Sequence, residues 1–327
     1  MTPSDLLQLS GSYWSACALH AAVKLDVFTH LSAGNLTVAE ISCLTGSDER
    51  AMTTLFNALT AMGLLSKAES SYSVPPSVTE YLSRKSDKYL GHIIMHHHHL
   101  MAGWNRLDEA VKSGGPVREN SSQTDDAKGR ESFLMGMFNM ASLSAPLIVP
   151  NIDLSERRKL LDLGGGPGTY AIHFCRHNPE LRAVIYDLPS TQPFAEQTVA
   201  RFNLSDRITF LSGDIITDYI GSGYDAAWIS QLLHSEGPGG AAIMLRKSVK
   251  ALLPGGIVLV QEFILDENRA SPPFPALFSL NMLIGTAAGQ SYSQEELAGM
   301  MKEAGLRDIK RLALELPNGA GIMCGVV

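Results

Sequence analysis

The sequence predicts an α/β protein with a doubly wound, Rossmann-like sheet, a closing antiparallel hairpin and an α-helical winged-helix domain in front of it. Residues 158–170 have the pattern of a buried strand, a glycine turn and the start of a helix. After residue 158, short apolar segments alternate with helical patterns, which is typical of a parallel sheet covered on both faces. The first 90 residues instead have the pattern of three helices and a small hairpin. These observations predict two regions of different architecture.

Composition places the chain among ordinary globular proteins. Its 327 residues suffice for two domains with full cores, and 45% are hydrophobic and 18% charged. The net charge of −7 argues against a broad nucleic-acid surface. The four cysteines are scattered without a C-x-x-C pair, which favours reduced thiols in the cytoplasm. We expect neither export nor a membrane partner, because the N-terminus lacks a basic region and no apolar run approaches 18 residues.

The N-terminal region, residues 1–90, predicts a winged helix. Apolar residues recur at helical spacing over residues 6–31, and Thr37 to Glu40 has the form of a capping box that opens a second helix. A third helix is predicted from Glu49 to Met62, before a hairpin within residues 64–74. The region has six basic and eight acidic side chains, so its net charge is negative. A negative charge opposes binding to the phosphates of a nucleic acid. A protein–protein role is therefore favoured over a nucleoside-sensing DNA-binding regulator.

Residues 91–150 predict helices that link the two regions. We expect one helix over residues 89–112, a loop over 118–132 and a methionine-rich helix over 133–149. His92, His96 and His99 would share one helix face, where three imidazoles could hold a metal ion. No cysteine or carboxylate is spaced alongside them. The interpretation as a polar, substrate-facing or solvated stripe is therefore preferred, and no metal is expected.

The glycine turn at residues 164–168 predicts a nucleotide-like ligand. Such a turn brings a ligand against backbone N–H groups at a helix start. Asp187 ends the next predicted strand and Asp214 the one after it. Acids at two strand ends suit an adenosine held by its ribose and adenine, so we favour S-adenosylmethionine over a nicotinamide cofactor. The alternative is a turn retained only for close packing.

The rest of the chain continues the α/β pattern. A fourth strand, residues 224–230, leads to His234, and a fifth, residues 257–263, carries Glu262. A capped helix is predicted from Ser293. Residues 312–316 and 322–327 predict the closing antiparallel hairpin.

Four motifs carry a resemblance to a known family: Leu161 to Gly168, Tyr186 to Pro189, Ser212 to Asp214, and Leu253 to Gly256. With them, nearly the whole chain resembles the plant-type (caffeate/acetylserotonin-like) O-methyltransferases, in their bacterial branch. The resemblance implies an S-adenosylmethionine-dependent homodimer. It also implies a dimerisation domain over residues 1–90, linking helices that line the acceptor pocket over 91–150, and a cofactor-binding catalytic domain over 151–327.

The resemblance further implies a set of cofactor contacts. Gly164 and Gly166 would contact the methionine end, and Asp187 the ribose. Ser230 stands where the plant enzymes have a lysine near the cofactor. The full set is Gly164, Gly166, Asp187, Leu188, Asp214, Ile215 and Ser230.

For catalysis, the resemblance assigns His234 as general base. The family motif L-H-D-W-x-D-E is matched at His234, whereas Ser235 and Glu236 replace the Asp and Trp. Glu262 matches a glutamate that orients the base, and Ser291 stands where a second glutamate would fall. A neutral histidine suits proton removal near pH 7, with a carboxylate to set its tautomer. The alternative is a structural histidine at the end of a strand, with its hydrogen bonds made to backbone groups.

We expect the methyl acceptor to be an aromatic or polyketide-like hydroxyl compound. The residues expected to bind it are Met95, His96, His99, Trp104, Met137, Met140, Phe278 and Met282. The alternative acceptor is a larger, tetrapyrrole-like molecule that is methylated on carbon or sulfur.

Overall fold

The structure is a computed structural model that describes residues 1–118 and 126–327. The chain forms two compact units. The first comprises Met1–Met101 and Glu131–Asn139, and the second comprises Ala102–Arg130 and Met140–Val327.

Helices and a three-stranded antiparallel sheet make up the described part of the first unit. Its helices are α1 (Pro3–Gly11), α2 (Tyr13–Lys24), α3 (Val27–Leu31), α4 (Val38–Thr45), α5 (Glu49–Ala61), α6 (Pro76–Leu82) and most of α7 (Gly91–Trp104). The strands β1 (Leu36–Thr37), β2 (Ser66–Ala68) and β3 (Ser71–Ser73) pair in the order β1-β3-β2. The expected capping box is present, because Thr37 and Glu40 bond reciprocally at the start of α4. The helices and hairpin confirm the winged-helix prediction, to which β1 adds a strand.

A buried core holds the first unit together, whereas α1 lies outside it. Phe28, Ile41, Phe56 and Leu59 are each fully buried. By contrast, α1 has no buried residue. The apolar face of α1 is therefore not covered by the packing of its own unit.

The second unit is a doubly wound sheet. Its strands are β4 (Lys159–Leu163), β5 (Arg182–Asp187), β6 (Ile208–Ser212), β7 (Tyr224–Ser230), β8 (Leu252–Leu265), β9 (Tyr292–Ser293), β10 (Arg307–Arg311) and β11 (Ala320–Val326). The strand order is β10-β11-β8-β7-β4-β5-β6, with β9 beside β8. Strands β4 to β8 pair in parallel, and β11 pairs antiparallel with both β8 and β10.

Helices pack with this sheet in the second unit. They are α8 (Leu107–Ser113), α9 (Ala127–Ile148, which both units share), α10 (Thr169–His177), α11 (Gln192–Arg201), α12 (Gly237–Ala251), α13 (Pro273–Gly285) and α14 (Gln294–Glu303). Two separate apolar cores result, one around Phe174 and Trp228 and the other around Tyr186 and Tyr224. The fold-class prediction is therefore confirmed.

Three element predictions were wrong in detail. The helix expected over residues 89–112 is broken before α8, because Arg106 leaves helical geometry at φ −114° and ψ 20°. In the predicted loop, residues 119–125 lie outside the described residues, but the helix begins at Ala127 because Asp126 accepts hydrogen bonds from Lys128 N and Gly129 N. The first hairpin strand is Arg307–Arg311, and the alternating leucines at residues 312, 314 and 316 pack on the core as a connection instead.

Helix α9 begins before the methionine-rich helix predicted over residues 133–149, and it is apolar over most of its length. By length and composition, Ala127–Asn151 could cross a membrane, a test that the core helix of a globular protein also passes. In this structure Leu134, Phe138, Ala145 and Ile148 on this helix are buried in protein.

Candidate active site

The glycine turn between β4 and α10 forms the first part of the site. Gly164, Gly166 and Gly168 have φ angles of +66°, +54° and +79°, a region that glycine enters without strain. A Cβ atom on Gly168 would lie 2.3 Å from Ile185 Cδ1, whereas one on Gly166 would meet no atom within 4 Å. Gly168 therefore serves close packing, and Gly166 borders open space in which a ligand can approach the backbone.

Asp187, at the end of β5, joins this turn to the neighbouring strand. Its Oδ2 accepts a hydrogen bond from Gly166 N at 2.8 Å, and its Oδ1 accepts from Leu188 N at 2.7 Å and Thr191 Oγ1 at 3.2 Å. Burial raises the pKa of the Asp187 carboxyl, and these three donors oppose that rise. The carboxylate is thus held in a defined orientation at the strand end.

Asp214 and Ile215 follow β6 in an anchored loop. Asp214 is exposed, and its Oδ1 accepts a hydrogen bond from Ile216 N at 2.7 Å. The Lys247 ammonium donates to the carbonyls of Ile215 and Ile216 at 2.7 and 2.9 Å. The loop after β6 is therefore fixed by α12.

Ser230 ends β7 beside the glycine turn. Leu163 pairs with Ile229, so Gly164 and Ser230 follow at adjacent strand ends. Ser230 Oγ donates a hydrogen bond to Gln261 Oε1 of β8 at 2.9 Å. The structure thus brings the predicted cofactor residues to one edge of the parallel sheet, where doubly wound folds bind their ligands.

His234 and Glu262 form a buried pair at the same edge. His234 Nδ1 lies 2.7 Å from Glu262 Oε2, and the two residues are 8% and 1% exposed. Glu262 Oε1 also accepts from Leu232 N at 3.0 Å. Because a carboxylate only accepts, Nδ1 carries the ring hydrogen, and Nε2 of the neutral ring is left as a proton acceptor.

The surroundings of His234 come from α13 and the segment after it. The Phe278 ring meets the imidazole edge to face, with centroids 4.7 Å apart. Gln290 N donates to the His234 carbonyl at 2.9 Å. Ser291, at the position where the family motif has a second glutamate, is buried and donates its hydroxyl to Pro275 O at 2.9 Å. The position of Ser291 therefore supports the backbone of α13 and supplies no carboxylate.

The predicted acceptor-binding residues are divided between the units. In the second unit, Phe278 touches His234, Met282 is buried on the same helix, and Trp104 and Met140 are half-buried. The other four belong to the first unit and stay predictions: half-buried Met95 and Met137, buried His96 and exposed His99.

The histidine stripe of α7 is not one uniform surface. His92 packs against the Tyr89 ring at 5.5 Å, and buried His96 against the Phe133 ring at 5.3 Å, whereas His99 is exposed. Within residues 1–118 and 126–327, no three His, Cys, Asp or Glu side chains are grouped so as to hold a metal ion.

Three residues of the site were missed by sequence reasoning. Asp162, inside β4, is buried beneath the turn, and burial raises the pKa of its carboxyl to about 7. Tyr170, at the start of α10, packs on Trp228 with ring centroids 4.8 Å apart. Gln261 holds Ser230. A polar residue inside a buried apolar strand was the available signal for Asp162 and Gln261.

The fold and the site together define a class: an α/β protein in which a glycine turn, acidic strand ends and a buried histidine–carboxylate pair share one edge of a parallel sheet. An O-methyltransferase domain model matches residues 104–307, and an O-methyltransferase dimerisation domain model matches residues 7–82. The chain belongs to the O-methyltransferase family, and it is an S-adenosylmethionine-dependent methyltransferase.

Relatives of known name match the sequence over nearly the full length of the chain. The 3-hydroxy-5-methyl-1-naphthoate 3-O-methyltransferase of Streptomyces sahachiroi is 30% identical over 99% of this chain and 95% of its own length. The tetracenomycin polyketide synthesis 8-O-methyl transferase TcmO of Streptomyces glaucescens is 30% identical over 98% and 96%. A solved structure of PigF with SAH (S-adenosylhomocysteine) has a TM-score of 0.92 at 25% identity and covers 100% of both chains. The name PigF is that of an S-adenosyl-L-methionine-dependent methyl transferase in Serratia sp. (strain ATCC 39006).

Proposed function

We propose that this chain methylates a hydroxyl group of an aromatic or polyketide-like small molecule, with His234 as the general base. The observation that carries the proposal is the contact of 2.7 Å between His234 Nδ1 and Glu262 Oε2, at the same sheet edge as the glycine turn and Asp187. The names of the two Streptomyces relatives support an acceptor of this chemical class.

The cofactor fits this edge because Gly166 borders open space and Asp187 offers a fixed carboxylate beside it. Gly164, Gly166, Asp187, Leu188, Asp214, Ile215 and Ser230 would hold it. When bound, S-adenosylmethionine supplies an electrophilic methyl group. The site needs a nucleophile placed in line with that methyl group and relieved of its proton.

The chain's own part in the reaction is proton removal. Nε2 of His234 accepts the proton of the acceptor hydroxyl, while Glu262 keeps the ring in that tautomer and stabilises the imidazolium. Phe278 and Met282 of α13 form the apolar side of the acceptor site near His234. The proposal includes the assembly and location of the protein. The winged-helix part is its dimerisation domain, and the protein works in the cytoplasm as a homodimer.

Single-turnover transfer of labelled methyl groups to hydroxynaphthoates and polyketide phenols tests this function. His234→Ala should lower the rate by roughly 10²–10⁴-fold, the usual contribution of a positioned base. Glu262→Gln should lower it by less, because Glu262 does not itself take the proton. SAH affinity should hardly change in either variant.

The matched control is His177→Ala, which removes an exposed histidine at the far end of α10. Wild-type rate and pH profile in His234→Ala would remove His234 from the mechanism. Transfer to carbon or sulfur, with no product methylated on oxygen, would overturn the hydroxyl acceptor.

A further inference from the structure

Helix α13 and the residue after it carry three polar side chains, two of which donate to the backbone of the helix. Ser279 Oγ donates a hydrogen bond to Pro275 O at 3.2 Å, and Thr286 Oγ1 donates to Met282 O at 2.8 Å. The third is Asn281, whose Oδ1 is buried and accepts no hydrogen bond within the part of the chain that the structure describes. A buried amide oxygen without a donor costs free energy, so a ligand that supplies a donor is favoured here.

Asn281 lies one helical turn beyond the residue that touches the candidate base. Phe278 meets the His234 ring with centroids 4.7 Å apart. Residues three apart on a helix are neighbours on its surface, so Asn281 follows Phe278 along the same side of α13. The amide therefore belongs to the helix side that faces the acceptor at His234.

Other residues of the second unit close the far end of this row. Ile284, three residues after Asn281, packs so closely on α7 that a Cβ on Gly103 would lie 2.7 Å from Ile284 Cγ2. The Arg118 guanidinium covers Gly285, where a Cβ would lie 2.6 Å from its central carbon. Asn281 is half-buried between His234 and this closed end. A ligand that contacts His234 and extends along the row therefore meets its amide.

The other residues of this row restrict the ligand that suits it. An aromatic skeleton can pack on Phe278 and Met282, whereas Asn281 requires a polar group at one defined point. A hydroxyl meets this requirement in either orientation of the amide, because it can donate to Oδ1 and accept from Nδ2.

We propose that Asn281 determines acceptor specificity by binding a second hydroxyl of an aromatic acceptor while the first hydroxyl faces His234. This inference rests on the proposed function and deepens it, because it narrows the acceptor to aromatic compounds with at least two hydroxyls. Asn281 holds the ring in one orientation and so decides which hydroxyl is methylated. Proton removal stays with His234 and Glu262.

The test compares methyl transfer to the two naphthols, each with one hydroxyl, and to naphthalenediols with the second hydroxyl at different ring positions. For the wild type, kcat/KM should be about 10–100-fold higher for the preferred diol, because a site built to bind a hydroxyl rejects a ligand that lacks it. Asn281→Leu, which is similar in shape, should lower kcat/KM for that diol to the level of the naphthols. The loss should appear mainly in KM, since the contact is made in the ground state and the transition state alike.

Further measurements on Asn281→Leu separate a loss of specificity from damage to the site. Its SAH affinity and the pH profile of kcat should match the wild type, because His234 and Glu262 are unchanged. On an unsymmetrical diol, the wild type should methylate one hydroxyl and the variant both. The matched control is Asn151→Leu, which removes an exposed amide that donates to Leu147 O, near His177 at the far end of α10. It should keep the wild-type preference.

Equal kcat/KM of the wild type for naphthols and diols, or a preference that survives in Asn281→Leu, would overturn the role of Asn281. Absence of transfer to oxygen on every one of these phenols would instead overturn the proposed function on which the inference rests. The two failures are therefore distinguishable.

Discussion

At the scale of single residues, the His234 ring is held on two sides. Glu262 contacts Nδ1, and the Phe278 ring lies edge to face against the imidazole. Glu262 is in turn anchored by Leu232 N, so the carboxylate cannot swing away without losing a second hydrogen bond. This arrangement orients Nε2 without a second glutamate, since Ser291 is engaged with Pro275.

Asp187→Ala tests the ribose contact. We expect SAH binding to weaken by about 1.5–3 kcal/mol, the usual loss for a hydrogen bond to a charged group. Calorimetry with SAH and with NAD provides the measurement. Binding of NAD alone by the wild-type protein would contradict the assignment of the cofactor.

Asp162→Asn tests the buried carboxyl beneath the turn. Burial raises its pKa in the folded state to about 7, the Asp187 charge adds to this, and Ala171 N–H opposes it. The folded protein therefore binds an extra proton between the unfolded pKa of about 4 and about 7, and stability falls as the pH rises through that window. Chemical denaturation from pH 5 to pH 8 should show a decline for wild type that is smaller in Asp162→Asn. Parallel curves for the two proteins would exclude this role.

At the scale of elements, the strand–turn–helix unit of β4 and α10 depends on Gly168. Gly168→Ala would put a Cβ in the left-handed region at φ +79° and 2.3 Å from the buried Ile185 Cδ1. We expect a loss of about 1–3 kcal/mol in the free energy of unfolding. The control is Gly299→Ala within α14, where the Cβ meets nothing within 4 Å and helix propensity favours alanine. Equal stabilities of the two variants would count against the packing role.

Helix α7 gives a second prediction at this scale. The stripe of His92, His96 and His99 should hold no stoichiometric structural metal, because the His92 and His96 rings pack on Tyr89 and Phe133 and His99 is exposed. Elemental analysis of untagged protein is the measurement. One zinc, iron or nickel per chain that is lost on triple alanine substitution would refute it.

At the scale of the whole molecule, we expect a homodimer. Leu7 and Trp14 on α1 and α2 are 75% and 70% exposed, in the region that matches a dimerisation domain. Apolar side chains exposed to this extent on adjoining helices are typical of an interface between subunits. Light scattering at micromolar concentration should give the mass of a dimer.

The combined variant Leu7→Glu and Trp14→Glu should shift the protein towards monomer. Tyr219→Glu, which alters a side chain that is 74% exposed in the second unit, is the control and should remain dimeric. A wild-type monomer at this concentration would rule out the interface.

Local patterns of the sequence were enough to predict much of the molecule. Glycine at residues 164, 166 and 168 indicated a turn that other residues would strain, and the capping box at Thr37 indicated a helix start. These signals work because they depend on neighbours within a few residues. The same locality explains the errors. The leucines at 312, 314 and 316 alternate as a strand does, but packing on the core decided their conformation.

By itself, the sequence determined the fold class, the glycine turn, the acidic strand ends and the pairing of His234 with Glu262 through their motifs. Only the tertiary structure decided which polar side chains share the edge of the sheet. Ser230 and Gln261 are 31 positions apart in the chain and meet because β7 pairs with β8. The glycine turn that follows β4 lies beside them because β4 pairs with the other side of β7. Strand order is set by how crossovers and apolar faces pack over long distances, and no local pattern of residues encodes it.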